Sequence, residues 1–412
     1  MIPNTVLIIG YVWVEPNSSA AGSRMMQLIE QFLKNGSEII FASPAQKGKK
    51  AIDLSSLGVK EVVIELNNAS FDVFIKKINP NIVVFDRFMM EEQFGWRVAE
   101  NCPKAIRILD TEDLHSLRKV RQEKIKKNQK FLIEDLLTSD IAKREIASIL
   151  RCDLSLIISS FEMKLLKEVF KIDERLMLHL PFLLNPIDDT QKLNWLPFEK
   201  REHFVFIGNF FHAPNVDAVL QLKKIWPNIR KQLPKAELLI YGAYITQQIQ
   251  QLHKPKEGFV VKGFAEDAKE VVKKAKVVLA PIRFGAGIKG KLTEAMLCGT
   301  PSVTTTIGAE GMHDGLVWNG EIEDDFEFFA QKAVKLYVNE IHWKQAQDNG
   351  VKIINLIYEG IKLASVFIKT IEVLQENLGT HRQQNFLGSL LQHQTLQATK
   401  FMSKWIEEKN KE

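Results

Sequence analysis

The chain has 412 residues, 45% of them hydrophobic and 25% charged, the composition of a globular protein with more than one core. A formal charge of +5 is small for that length; it argues against a nucleic-acid binder and suits anionic small ligands or an acidic membrane surface. Three widely spaced cysteines, Cys102, Cys152 and Cys298, speak against a disulfide scaffold or a CxxC zinc site and for a reducing cytoplasm. The first residues run into a strand, so a signal peptide is not expected, and no apolar stretch reaches the ~18–20 residues of a membrane span. Val6–Ile9, Glu38–Ala42, Val62–Leu66, Ile82–Phe85, Ala105–Leu109 and Leu154–Ser159 read as short, almost wholly apolar strands, the habit of parallel strands covered on both faces. Helical stretches such as Arg24–Lys34 and Glu91–Glu100 alternate with them, which predicts a doubly wound α/β sheet. Asn185–His203 has no periodicity and reads as a linker. The alternation then restarts, with strands at Phe204–Ile207, Glu237–Tyr241, Phe259–Lys262, Val277–Ala280 and Ser302–Thr305. Helices are expected at Val216–Leu233, Glu266–Lys274 and Leu292–Cys298 and again after Ile353, with Glu376–Asn385 as a polar loop. Phe386–Glu408 carries Leu387, Leu390, Leu391, Phe401, Met402, Trp405 and Ile406; a helix with that apolar face is expected to dock back on the first domain.

Ligands of open α/β sheets bind beyond the C-terminal ends of the strands, so the loops there hold the candidate chemistry. Residues 280–296 read APIRFGAGIKGKLTEAM and 298–302 read CGTPS. Gly285, Gly287 and Gly290 let backbone N–H groups approach an anion; Arg283, Lys289 and Lys291 add cations, and a helix then begins. This is a diphosphate cradle, though neither a Walker A loop nor GxGxxG; a tight turn with solvated lysines is the plain alternative. Glu294 falls at the helix start, where it either offsets the dipole or meets ribose hydroxyls. Residues 16–24 join the first strand to the first helix with small side chains. Gly22 and Arg24 there are placed either to touch a phosphate or to let strand and helix pack. After the fifth strand stand Asp110, Glu112, Asp113 and His115; after the fourth, Asp86 and Arg87 are candidates for an acceptor pocket. Adjacent acids at such a junction also serve as helix caps. Arg118–Lys130 holds seven Lys/Arg and one acid, Glu123; it is a solvated helix face or a contact for anionic lipid or a polyanionic acceptor.

Residues 206–312 resemble the donor domain of the retaining family 4 glycosyltransferases. The resemblance rests on FIGNFFHAPNVDAV (206–219), LPKAELLIYGA (233–243), VKGF (261–264), the GAGIKGKLTEAM loop and GTPSVTTTIGAEGM (299–312). It implies a GT-B fold: two Rossmann-like domains facing a cleft, with a C-terminal helix crossing back. The expected division is 1–185, a linker at 186–203, 204–375, and a returning tail at 376–412. It further implies a nucleotide-diphosphate sugar donor, an acceptor hydroxyl, retention of configuration and no metal or other cofactor. By resemblance His115 contacts the transferred sugar, while Gly208 and Asn209 lie against the donor phosphates and Glu310 against sugar or base. Arg283 and Lys289 are expected to steady the leaving group, with Gly22, Gly285, Gly287, Lys291 and Glu294 completing the donor site. His212 stands equally as loop residue or ligand. Of the family's pair of glutamates Glu294 matches the second, but Ala286 stands at the first. Two rival readings follow: a sugar-nucleotide epimerase of the same fold, and a non-catalytic partner subunit, which Ala286 favours. Peripheral membrane contact through Arg118–Lys130 is an expectation, and nucleic acid is not an expected partner.

Overall fold

The computed structural model describes residues 4–393, Trp405 and Lys409. The first sheet has seven parallel strands: β1 (Thr5–Ile9), β2 (Glu38–Ser43), β3 (Lys60–Val63), β4 (Ile82–Asp86), β5 (Ile106–Asp110), β6 (Leu154–Ile157) and β7 (Met177–His179), in the order β3-β2-β1-β4-β5-β6-β7. Its central strands are mostly apolar because both their faces are covered, while the edge strand β3, KEVV, is partly exposed. Leu7, Ile9, Val83 and Phe85 enter one core, while the alternate residues Val6, Ile8, Ile82 and Val84 enter the other. The second sheet repeats the plan with β8 (Glu202–Ile207), β9 (Leu238–Tyr241), β10 (Phe259–Gly263), β11 (Ala275–Ala280), β12 (Ser302–Thr304) and β13 (Gly320–Ile322), ordered β10-β9-β8-β11-β12-β13. In each sheet the order reverses beside the first strand, at β1/β4 and at β8/β11. A doubly wound sheet binds its ligand at such a reversal.

Several elements depart from the sequence reading. The third strand lies at Lys60–Val63, earlier than Val62–Leu66, and β7 and β13 were not foreseen; both are three-residue strands with little buried apolar surface to mark them. The linker is strapped to the second domain. It holds a short helix, Asp189–Leu193, the Trp195 indole donates to the Leu297 carbonyl at 3.1 Å, and buried Arg201 donates to the Thr300 hydroxyl at 2.6 Å. Glu376–Asn385 is not a loop. All but its last residue belong to one helix, Gly360–Gln384.

That helix makes the return, earlier than residue 376. Leu184 and the 358–360 segment exchange backbone bonds, with the Leu184 N–H on the Tyr358 carbonyl at 2.9 Å and the Gly360 N–H on the Leu184 carbonyl at 2.8 Å. Phe367, Ile371 and Leu374 then pack into the first domain's core. Arg382 locks the far end, giving Asp153 two bonds of 2.7 Å. The helix Phe386–His393 continues against the helix Asp140–Arg151, and the Gln392 amide donates to the Arg151 carbonyl at 3.1 Å. Trp405 is exposed; Phe401, Met402 and Ile406 lie outside the described residues.

Candidate active site

The cradle loop leaves β11 at the reversal point of the second sheet and ends in the helix Gly290–Leu297. Unsatisfied N–H groups at such a helix start favour an anion. Lys291 crosses to the loop after β8: its Nζ donates to the Asn215 Oδ1 at 2.6 Å and lies 4.0 Å from the Phe206 ring centroid. Gly208 makes room for this, since a Cβ there would stand 2.9 Å from that ammonium and 2.8 Å from the Asn215 amide. Asn209 ties the same loop to the first domain, donating to the Ser18 carbonyl at 3.2 Å. Lys289 donates to the Gly287 carbonyl at 3.0 Å. Burial pulls both lysines down, Lys289 to about 8 and Lys291 to about 7. Two half-dehydrated ammonium groups beside a helix start form a site short of negative charge.

The loop also meets the first domain. Gly287 has φ +62°, and a Cβ on it would come 2.8 Å from the Asp113 Cβ, so glycine is required twice over. Its N–H donates to Glu162 Oε1 at 2.8 Å, and the same oxygen accepts the Leu114 N–H at 3.0 Å. Burial raises Glu162 to about 8, and its second oxygen is buried without a partner. Arg121, from the helix His115–Lys126, grips Glu310 through bonds of 2.6 and 2.8 Å and the Gly285 carbonyl at 2.9 Å. Ala286 packs against the first domain's core. A glutamate there would set a charge against that apolar surface, which gives the departure at this position a physical reason.

On the opposite wall, His115 begins its helix with the Nε2 3.3 Å from Asp113 and its ring edge-on to Phe88. Burial lowers it to about 3 against the pull of Asp113, so it is neutral across the physiological range. Asp113 is buried, but the Arg118 guanidinium, hydrogen-bonded to it, outweighs that and holds it well below the usual carboxylate range. His212 of the second domain joins this group; burial, then Arg118, brings it to about 4. Next to them Arg87 and Glu112 both adopt left-handed backbone, φ +72° and +61°. Strain of this kind gathers at functional sites. Burial and the neighbouring Asp110 and Asp86 push Glu112 well up.

Other expected residues are placed differently. Arg283 turns outward onto Asp217, with its Nε at 2.9 Å from the carboxylate, and does not reach the cradle lysines' partners. Gly22 packs on its own turn, where a Cβ would strike the Glu15 carbonyl at 2.3 Å. Arg24 is buried on Asp110 and the Leu180 carbonyl, at 2.9 and 2.6 Å. For both, the packing reading fits the geometry. Glu294 sits in the second turn of its helix rather than the first, half-buried and raised by burial, near Lys269 and Asp267. Among the described residues no group of three His, Cys, Asp or Glu is placed to hold a metal ion. A cleft of about 390 Å³ opens beyond β9 and β10, lined by Gly242, Tyr244, Thr246, Gln247, Gly263 and Phe264. Lys50 of the first domain covers its aromatic rim, 3.4 Å from the Phe264 ring centroid and 4.9 Å from that of Tyr244. Sequence reasoning missed Glu162, Arg121 and Asn215. Only Asn215 carried a local signal, its place beside Pro214 at the start of the helix Ala213–Gln232 after β8.

Two parallel sheets with paired reversal points and a returning helix define a GT-B protein. Residues 201–339 match the family described as Glycosyl transferases group 1. That match lies within the second domain, so it is this domain that resembles the group 1 glycosyltransferases. Among solved structures, sucrose-phosphate synthase from Thermosynechococcus elongatus superposes with a TM-score of 0.67 at 16% identity, over 90% of this chain and 99% of that one. Anabaena HepE in complex with UDP-glucose gives 0.65 at 12% identity over 90% and 100%. A glycosyltransferase from Rickettsia africae gives 0.63 at 13% over 92% and 99%. These likenesses are of fold. No curated protein sequence matches the chain.

Proposed function

We propose that the protein transfers a sugar from a nucleoside-diphosphate donor to an acceptor hydroxyl with retention of configuration, in the assembly of a glycan or glycolipid. The observation that carries this reading is the cradle at the β8/β11 reversal, where glycine-lined backbone, Lys289, Lys291 and a helix start converge. As the sugar–phosphate bond breaks, negative charge grows on the departing diphosphate. Preorganised cations and N–H groups at that point stabilise the transition state more than the ground state. Lys291, held by Asn215, and Lys289 are the groups assigned to that charge, with the backbone of Gly208, Asn209, Gly285 and Gly287 against the phosphates. Glu294 is assigned to the ribose and the cleft rimmed by Tyr244 and Phe264 to the base; solved HepE holds UDP-glucose in the same fold. Neutral His115 faces the cradle from the first domain and offers a ring N–H or lone pair to the transferred sugar.

Retention follows from the family resemblance, and the way the cleft carboxylates are tied down bears on its route. Asp113 is bound to Arg118 at 2.7 Å, and Glu162 holds two backbone amides. With neither free as a nucleophile, attack by the acceptor on the face the diphosphate leaves is the consistent route. The test is a panel of nucleotide sugars with mixed acceptors, followed by NMR of the product anomer. A product of the donor's own configuration is expected. Inverted product overturns retention, and diphosphate release with no acceptor added points to the epimerase instead.

A further inference from the structure

The helix His115–Lys126 has two unlike ends. Its cleft side carries Arg121 on Glu310 and Gly285. Its far end runs into Lys126, Lys127 and Lys130, all exposed and, among the described residues, without an ion-pair partner. The next residues form a knuckle. Leu136 is fully buried and Phe131 is half-buried, with its ring centroid 5.1 Å from the Arg121 guanidinium. Leu132, Ile133 and Leu137 instead point out, 53%, 41% and 51% exposed. Of the acids close by, Asp135 holds Lys124 at 2.7 Å and Asp140 holds Lys143 at 2.9 Å, leaving Glu123 and Glu134 against three free lysines.

We propose that this knuckle docks the protein on an anionic lipid bilayer, with Leu132, Ile133 and Leu137 entering the acyl boundary and Lys126, Lys127 and Lys130 meeting the headgroups. Charge complementarity selects the partner. Lysines beside an acidic leaflet attract it, and apolar side chains at their centre add burial that water denies them. A soluble polyanion would use the lysines and leave three exposed aliphatic side chains unaccounted for. The helix that carries the knuckle also grips the cradle loop, so a docked protein holds its cleft beside the membrane surface. The inference rests on the proposed transfer reaction only in what it adds to it, a lipid-anchored acceptor; the docking is tested by itself.

The experiment is cosedimentation of the full chain with vesicles of phosphatidylcholine alone and of phosphatidylcholine with phosphatidylglycerol. Binding is expected to the anionic vesicles, weakening as salt shortens the screening length. Replacing Lys126, Lys127 and Lys130 by Gln lowers the partition coefficient by about fivefold per lysine. Leu132→Ser with Leu137→Ser removes binding at unchanged charge. Thermal melting and nucleoside-diphosphate calorimetry on each variant identify any that is misfolded. Leu132→Trp provides a second readout, a blue shift of emission on anionic vesicles. Absence of binding or of the blue shift overturns the proposal. So does equal retention on soluble polyphosphate that the serine substitutions leave unchanged, which would mark a polyanion site. Vesicle binding without nucleoside-diphosphate binding would sink the donor assignment and leave the docking intact.

Discussion

Lys289 and Lys291 are cations that burial has weakened, to about 8 and about 7. A diphosphate restores their charge, so each pKa rises on binding and protons are taken up. Affinity is therefore greatest below pH 7 and falls as pH rises through 7 to 8, where the free site must first be protonated. Calorimetry of nucleoside diphosphate in buffers of different ionisation enthalpy checks this. Uptake of a proton fraction at pH 8 is expected, and buffer-independent heats would contradict it. The glycines and lysines of the cradle were legible because they lie within one stretch of sequence. Glu162 and Arg121 were not: their partners Gly287 and Glu310 are 125 and 189 residues away, and no local pattern marks a contact made only when two domains meet. Arg283 and Gly22 lie against other partners in the structure, and the sequence could not separate the two placements for a related reason. A charge or a glycine near a ligand loop looks the same in sequence whether it faces the ligand or, as here, Asp217 and the Glu15 carbonyl.

At the scale of elements, central strands such as β1 and β4 were legible because both faces of each are buried, partly exposed β3, β7 and β13 were not, and the Gly360–Gln384 helix was only half so. Phe367, Ile371 and Leu374 mark its middle turns by their helical spacing. The residues after Glu376 are polar because one face meets water and the other docks by hydrogen bonds, through His381 and Arg382. Polar docking leaves no periodicity to read. It does leave a measurable cost. Asp153 is 2% exposed, so Arg382→Ala strips most of the compensation from a buried carboxylate, although Arg107 stays 3.6 Å away. A loss of about 3 kcal/mol in denaturant unfolding is expected. A change under about 0.5 kcal/mol would show that the return helix is held by its apolar face alone.

Across the whole molecule, the two domains touch through the cradle loop, and Glu162 is the first domain's group in that contact whose charge can change near neutrality, beside Lys289 of the loop itself. Its carboxyl sits at about 8, above the usual carboxylate value. The neutral acid thus favours the closed pair fully at pH below about 4.5, and that advantage is lost as pH rises towards 8. Small-angle scattering should show the radius of gyration growing between pH 6 and 9, and Glu162→Gln, which copies the neutral acid, should flatten that rise. Identical pH profiles for the two proteins would remove Glu162 from closure. The central claim is that the cradle between β8 and β11 holds a diphosphate, and the most direct measurement is calorimetry of nucleoside and nucleoside diphosphate with wild-type protein, Lys291→Ala and Glu294→Ala, after a screen for the base. Lys291→Ala is predicted to lose about 2–5 kcal/mol of diphosphate affinity and none for the nucleoside, while Glu294→Ala weakens both. Equal losses for both ligands in Lys291→Ala, or wild-type affinity in both variants, would contradict it.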